Sequence, residues 1–147
     1  MGLKAPEELM KWFVNILMIV CLIIPVQVSG QHFIGKHKIE VRELMEREMK
    51  QLYEDDHSVN TVYNTVKYID RLGDQTLLFV FSDQDTCLYS KWMCDYSMLN
   101  AVMANLNGKY SQSAEDSWSY VNNQEPYIIT LTAGDWYFTI TTKKIID

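Results

Sequence analysis

The side chains best suited to chemistry in this chain are few and scattered. Three histidines, His32, His37 and His57, are the residues whose ordinary pKa lies near neutrality. None stands at ligand spacing with another on a predicted helix. His32 and His37 lie in an N-terminal stretch, and His57 sits in a polar turn, where an exposed imidazole is the ordinary reading. Asp83-Gln84-Asp85 resembles a metal-binding DxD. However, turns recruit Asp because its side chain bonds the local backbone, and the turn reading is preferred. Glu54-Asp55-Asp56 lacks the regular oxygen spacing of a calcium loop and reads as a cap and linker. No nucleophile elbow, P-loop, GxGxxG, HExxH or EF-hand loop occurs. The expectation is a protein with no catalytic residues, no metal ligands and no cofactor, and so not an enzyme.

Cysteine is the other reactive type, and the chain has three. Cys21 lies within Trp12–Ile24, which is apolar except for Asn15. Lys4 and Lys11 precede this run, Pro25 ends it and Val28-Ser29-Gly30 follows. A basic start, an apolar run of roughly 7–15 residues and small residues at −3 and −1 make a secretory signal. Residues 1–30 are therefore read as a signal peptide cut between Gly30 and Gln31. The new terminus, Gln31, is then expected to cyclise to pyroglutamate. The rival reading is an uncleaved signal anchor. Glu7, Glu8 and the cations Lys36, Lys38 and Arg42 beyond the run keep it open, but the run is short against the roughly 20 apolar residues of a span.

Cleavage removes Cys21 and leaves Cys87 and Cys94. An even pair in an oxidising compartment implies a disulfide. The bridge would close a loop holding Tyr89, Lys91, Trp92 and Met93. Aromatic residues and Met are enriched at interfaces, and a closed loop loses less entropy on binding. These four residues are thus the candidate partner-binding loop, against the alternative that Trp92 packs inward as core.

The elements that must position these residues follow from periodicity. Val41, Leu44, Met45, Met49, Leu52 and Tyr53 predict a first helix over about 36–53. Val59, Val62, Tyr63, Val66 and Ile69 predict a second, stopped by Gly73. Thr76–Phe81 is a continuous apolar run and reads as a strand covered on both faces, with Cys87–Lys91 as a partner strand. Leu99, Val102, Met103 and Leu106 predict a third helix over about 97–106, and the polar stretch 109–117 a loop. Two alternating runs, 127–133 and 136–142, flank Gly134-Asp135 and predict a C-terminal β-hairpin with a type II′ turn. That loop pairs Ala133 with Trp136, Leu131 with Phe138 and Ile129 with Ile140. Ser117–Val121 adds a third strand.

The expected fold class is α+β: two N-terminal helices, a third central helix and an antiparallel sheet ending in the hairpin, forming one secreted domain over residues 31–147. Its β-β-α-β-β-β order is similar in topology to longin- and roadblock-like domains.

Net charge is −6, without a basic cluster. This argues against nucleic acid, which needs clustered Lys and Arg, and against an anionic membrane surface. Membrane attachment is expected only if the signal is retained. The functional expectation is a small secreted, extracellular, non-enzymatic binding protein in signalling, defence or reproduction, whose partner is an extracellular protein or a small ligand. The alternatives are an inhibitor of an extracellular enzyme, a carrier of a small hydrophobic ligand, and a signal-anchored membrane protein. A helix followed by an antiparallel sheet is similar to cystatins, whose QxVxG wedge is missing. Gln27-Val28-Ser29-Gly30 lacks its spacing.

Overall fold

Near the start of the described residues, Phe33 is fully buried. The computed structural model describes residues 32–56 and 63–146. The signal segment, His57 and the whole run Val59–Val62 lie outside the described residues. After Phe33 the chain turns at Gly35, whose φ of 84° is costly for any residue with a Cβ. The Gly35 N–H donates to Cys87 O, and the Cys87 N–H donates to Lys36 O, both at 2.8 Å. His37 then caps helix α1 (Lys38–Glu48), its Nδ1 accepting the Ile39 N–H at 3.3 Å. Val41, Leu44 and Met45 are the buried face of α1, the i, i+3, i+4 stripe expected.

The strands that follow are β1 (Tyr53–Glu54), β2 (Thr65–Ile69), β3 (Gln75–Phe81) and β4 (Cys87–Asp95). A short 3₁₀ turn, Tyr96–Met98, leads into α2 (Leu99–Lys109). Then come β5 (Ser111–Ala114), β6 (Ser117–Asn122), β7 (Glu125–Ala133) and β8 (Tyr137–Lys144). They make one sheet in the order β1-β2-β3-β4-β8-β7-β6-β5, with every neighbouring pair antiparallel. The chain is therefore a helix and a four-stranded meander, repeated once. The two meanders join edge to edge where β4 meets β8, with Trp92 opposite Ile140.

This corrects the expected fold class. The described residues form two helices and eight strands, a largely β arrangement, in place of three helices with a smaller sheet. Among the described residues the error lies in 63–72. Val62, Tyr63, Val66 and Ile69 fit a helical stripe, but Val66 and Tyr68 are the residues that face inward, two apart, opposite Phe79 and Leu77. β-Branched Thr65, Val66 and Ile69 favour the strand. Once β3 supplies a partner, its ladder outweighs the weak helical propensity. Residues 111–114, expected to be loop, are the edge strand β5, exposed at every position.

One face of the sheet is the core. Val66, Leu77, Phe79, Trp92, Ile129 and Ile140 are among its buried residues, in a single cluster with the apolar stripes of α1 and α2. Removing such a side chain from water contributes about 1.5–3 kcal/mol each. Trp118 is fully buried and satisfies its indole by donating from Nε1 to Asn107 Oδ1 at 2.8 Å. The other face has no helix among the described residues. Leu78 and Val80 lie there half-buried, so β3 is covered fully on one face only, not on both.

Candidate functional site

The disulfide and its loop are absent. Cys87 and Cys94 are both free and buried, at opposite ends of β4. At roughly 3.3 Å of rise per residue, seven residues of extended strand hold them about 23 Å apart. A disulfide needs Cα atoms within roughly 7 Å. The pairing was inferred from an expected compartment and an even count, and neither constrains geometry. Burial also pushes both thiols up to about 12, so neither is a ready nucleophile. The four candidate loop residues are likewise strand. Trp92 is 6% exposed and belongs to the core, while Tyr89, Lys91 and Met93 project from the open face. Lys91 Nζ stands 6.0 Å from the Tyr89 ring.

The remaining polar candidates have structural work. His37 caps α1. His32 pairs with Glu48 at 2.8 Å. Asp85, at φ 59°, closes the β3–β4 turn and accepts the Asn64 side-chain N–H at 2.7 Å. Ser82 Oγ accepts the N–H groups of Gln84 and Thr86 in the same turn. Among the described residues no three His, Cys, Asp or Glu gather as a metal site.

A cleft of about 440 Å³ lies at the β2 edge, bordered by Lys38, Arg42, Glu54, Asp55 and Lys67 over Val80. Its charges are largely engaged with each other. Arg42 clasps Glu54 through two nitrogens at 2.6 and 3.0 Å, and Lys67 pairs with Asp55 at 2.9 Å. Glu54 accordingly holds the Arg42 guanidinium above its usual range. Paired this way, the cleft offers a ligand little unspent charge.

The most exposed aromatic side chain among the described residues is elsewhere, at the end of the sheet opposite the entry of the chain beside Cys87. The β7–β8 hairpin turns one residue later than expected, which slips its register by two. Its pairs are Ala133 with Phe138, Leu131 with Ile140 and Ile129 with Thr142. A slip of two preserves the inward face of every residue, so alternation alone could not exclude it. Its consequence is that Trp136 leaves the strand and sits in the turn, 84% exposed. The turn is held on both sides. The Gly134 N–H donates to Tyr137 O at 2.9 Å, and the Tyr96 hydroxyl donates to Gly134 O at 2.7 Å. A Cβ on Gly134 would lie 2.8 Å from Tyr137 O, so only glycine fits. Tyr96 in turn packs against Phe138, with ring centroids 5.9 Å apart.

Neighbours at this end extend the surface. Tyr137 is exposed and lies opposite Asp95, whose N–H donates to Asp74 O at 3.0 Å. Ser97 holds the Asp95 carboxyl below its ordinary range through hydrogen bonds. Leu72, 83% exposed, tips the adjacent β2–β3 turn. Sequence reasoning missed Trp136. The available signal was that Asp135-Trp136 also serves as a two-residue loop between alternating runs.

No helix among the described residues is long and apolar enough to cross a membrane. No protein-family model, curated protein or solved structure matches the chain.

Proposed function

We propose that the chain is an exported, non-enzymatic binding protein that meets a partner outside the cell. The observation that carries the binding part of this reading is Trp136: a large aromatic side chain held out in water by a turn fixed through Gly134 and Tyr96. Exposing an indole forgoes about 1.5–3 kcal/mol of burial, and residues of this type concentrate binding energy at interfaces. A turn already fixed in place loses little further entropy when a partner arrives.

Export rests on the 1–30 sequence pattern. The two thiols suit an oxidising compartment through burial alone. A protein partner is favoured over a small ligand, since four of the six charged residues lining the cleft at β2, Arg42 with Glu54 and Lys67 with Asp55, are paired with each other.

Amino-terminal sequencing and intact mass of the chain recovered from its native fluid test the export reading. The expected product begins at Gln31, lighter by one ammonia if cyclised. Recovery of Met1 in a membrane fraction would favour the signal-anchored alternative, and recovery of Met1 in cytosol would remove the export reading altogether.

A further inference from the structure

The repeated helix-and-meander gives the molecule two corresponding corners, the β3–β4 turn in the first half and the β7–β8 turn in the second. The first is sewn shut. The segment 35–37 pairs along Cys87 and Thr86, the Lys38 N–H donates to Asp85 O, and the Asn64 side chain bridges Ser82 O and Asp85. The second receives one side-chain bond, from Tyr96, and leaves Trp136 in water.

The chemistry around Trp136 specifies what fits. Asp135 precedes it, Tyr137 follows it, and Asp95 and Asp74 lie successively across the neighbouring strands. Trp is the preferred face for a cation, and Arg the preferred cation. Carboxylates receive the planar guanidinium fork with two parallel hydrogen bonds. An acidic rim also repels anionic lipid headgroups. We infer that the Trp136 end of the sheet is a docking surface for a basic, arginine-bearing polypeptide segment of a partner protein, with guanidinium stacked on the indole and paired to the surrounding Asp carboxylates. This names the partner chemistry for the binding function proposed above and rests on that reading, but its test does not depend on where the protein resides.

The full chain is titrated by calorimetry with a repeating Gly-Arg-Ser peptide, and with Gly-Lys-Ser and Gly-Glu-Ser peptides of equal length. The expected order is Arg over Lys, with no binding by Glu. Trp136→Ser is expected to weaken the Arg peptide by about thirtyfold, the free-energy scale of an interface hot spot. Asp74→Asn combined with Asp135→Asn is expected to weaken it by about tenfold and to flatten its salt dependence. Asp83→Asn, at the sewn corner, is expected to change nothing. Circular dichroism of each variant verifies the fold. Absence of Arg-peptide binding overturns the inference. So does binding that survives Trp136→Ser, which would be general attraction to an acidic protein, and so does equal loss from Asp83→Asn. Partition of the chain onto phosphatidylcholine vesicles through Trp136, without peptide selectivity, would assign the surface to lipid. None of these outcomes bears on export, which the amino terminus reports separately.

Discussion

The two halves of this protein use one plan, a helix and four antiparallel strands, but they treat their outer parts differently. In the first half, β1 is two residues long and the neighbouring helix is tied to it by the Arg42–Glu54 pair. Its β3–β4 corner is covered by the incoming chain. In the second half, α2 runs with one intervening residue into β5, a small polar edge strand. Its β7–β8 corner is bare. The shared parts are buried and apolar, as a two-layer core requires. The differing parts are where polar bonds either finish the fold or are withheld. The second corner keeps Trp136 in water where the first is closed over.

The largest effects test whether the two halves depend on the common core equally. Phe79→Ala in the first half and Trp118→Ala in the second each remove a fully buried aromatic. Each is expected to destabilise by about 3–5 kcal/mol, measured by urea denaturation. A much smaller loss from one would mean that its half folds only as an appendage. Next comes the contrast between corners. Asn64→Ala removes the bridge to Ser82, Asp85 and Lys38 and is expected to cost about 1–3 kcal/mol. Gly134→Ala places a methyl against Tyr137 O and is expected to cost about 1–3 kcal/mol through local strain. Tyr96→Phe removes one exposed-side hydrogen bond and is expected to cost about 1 kcal/mol or less. Smallest of all, Trp136→Ser is expected to shift stability by no more than about 0.5 kcal/mol. A loss comparable to that of Asn64→Ala would show that the second corner depends on its aromatic for folding, and the asymmetry would disappear.

How much was legible follows from what each element asks of its sequence. α1 and α2 bury apolar stripes, so periodicity located both, although the 3₁₀ turn delayed the start of α2 and Met49 ended α1 earlier than expected. β3 and the C-terminal hairpin were visible because apolar runs and turn residues coincide there. β2 was not, since Val66 and Ile69 satisfy a helical spacing as well as a strand, and only the presence of β3 decides between them. β1 and β5 lie at sheet edges, where no inward pattern is demanded: Tyr53 fits the stripe of the first helix but stands exposed in β1, and β5 left no hydrophobic trace. The exposure of Trp136 was hidden by a subtler degeneracy. A hairpin slipped by two residues keeps the same inward set, and only the turn geometry moves Trp136 from sheet to solvent. The disulfide failed for another reason: the spacing of Cys87 and Cys94 permits a loop, and the strand between them forbids it.

That placement has a consequence for the life of the unfolded chain. In a disordered polypeptide, two thiols seven residues apart meet readily, and an oxidising compartment would join them. The resulting eight-residue ring cannot be laid out as β4, the strand on which both halves close. Oxidation before folding is therefore a kinetic trap: a crosslinked chain is barred from the native sheet until it is reduced, whereas a chain that folds first hides both sulfurs. Native protein should resist iodoacetamide at pH 8. Refolding yield from denaturant should rise on adding dithiothreitol, and the double variant Cys87→Ala, Cys94→Ala should refold, at whatever stability it retains, without regard to redox conditions.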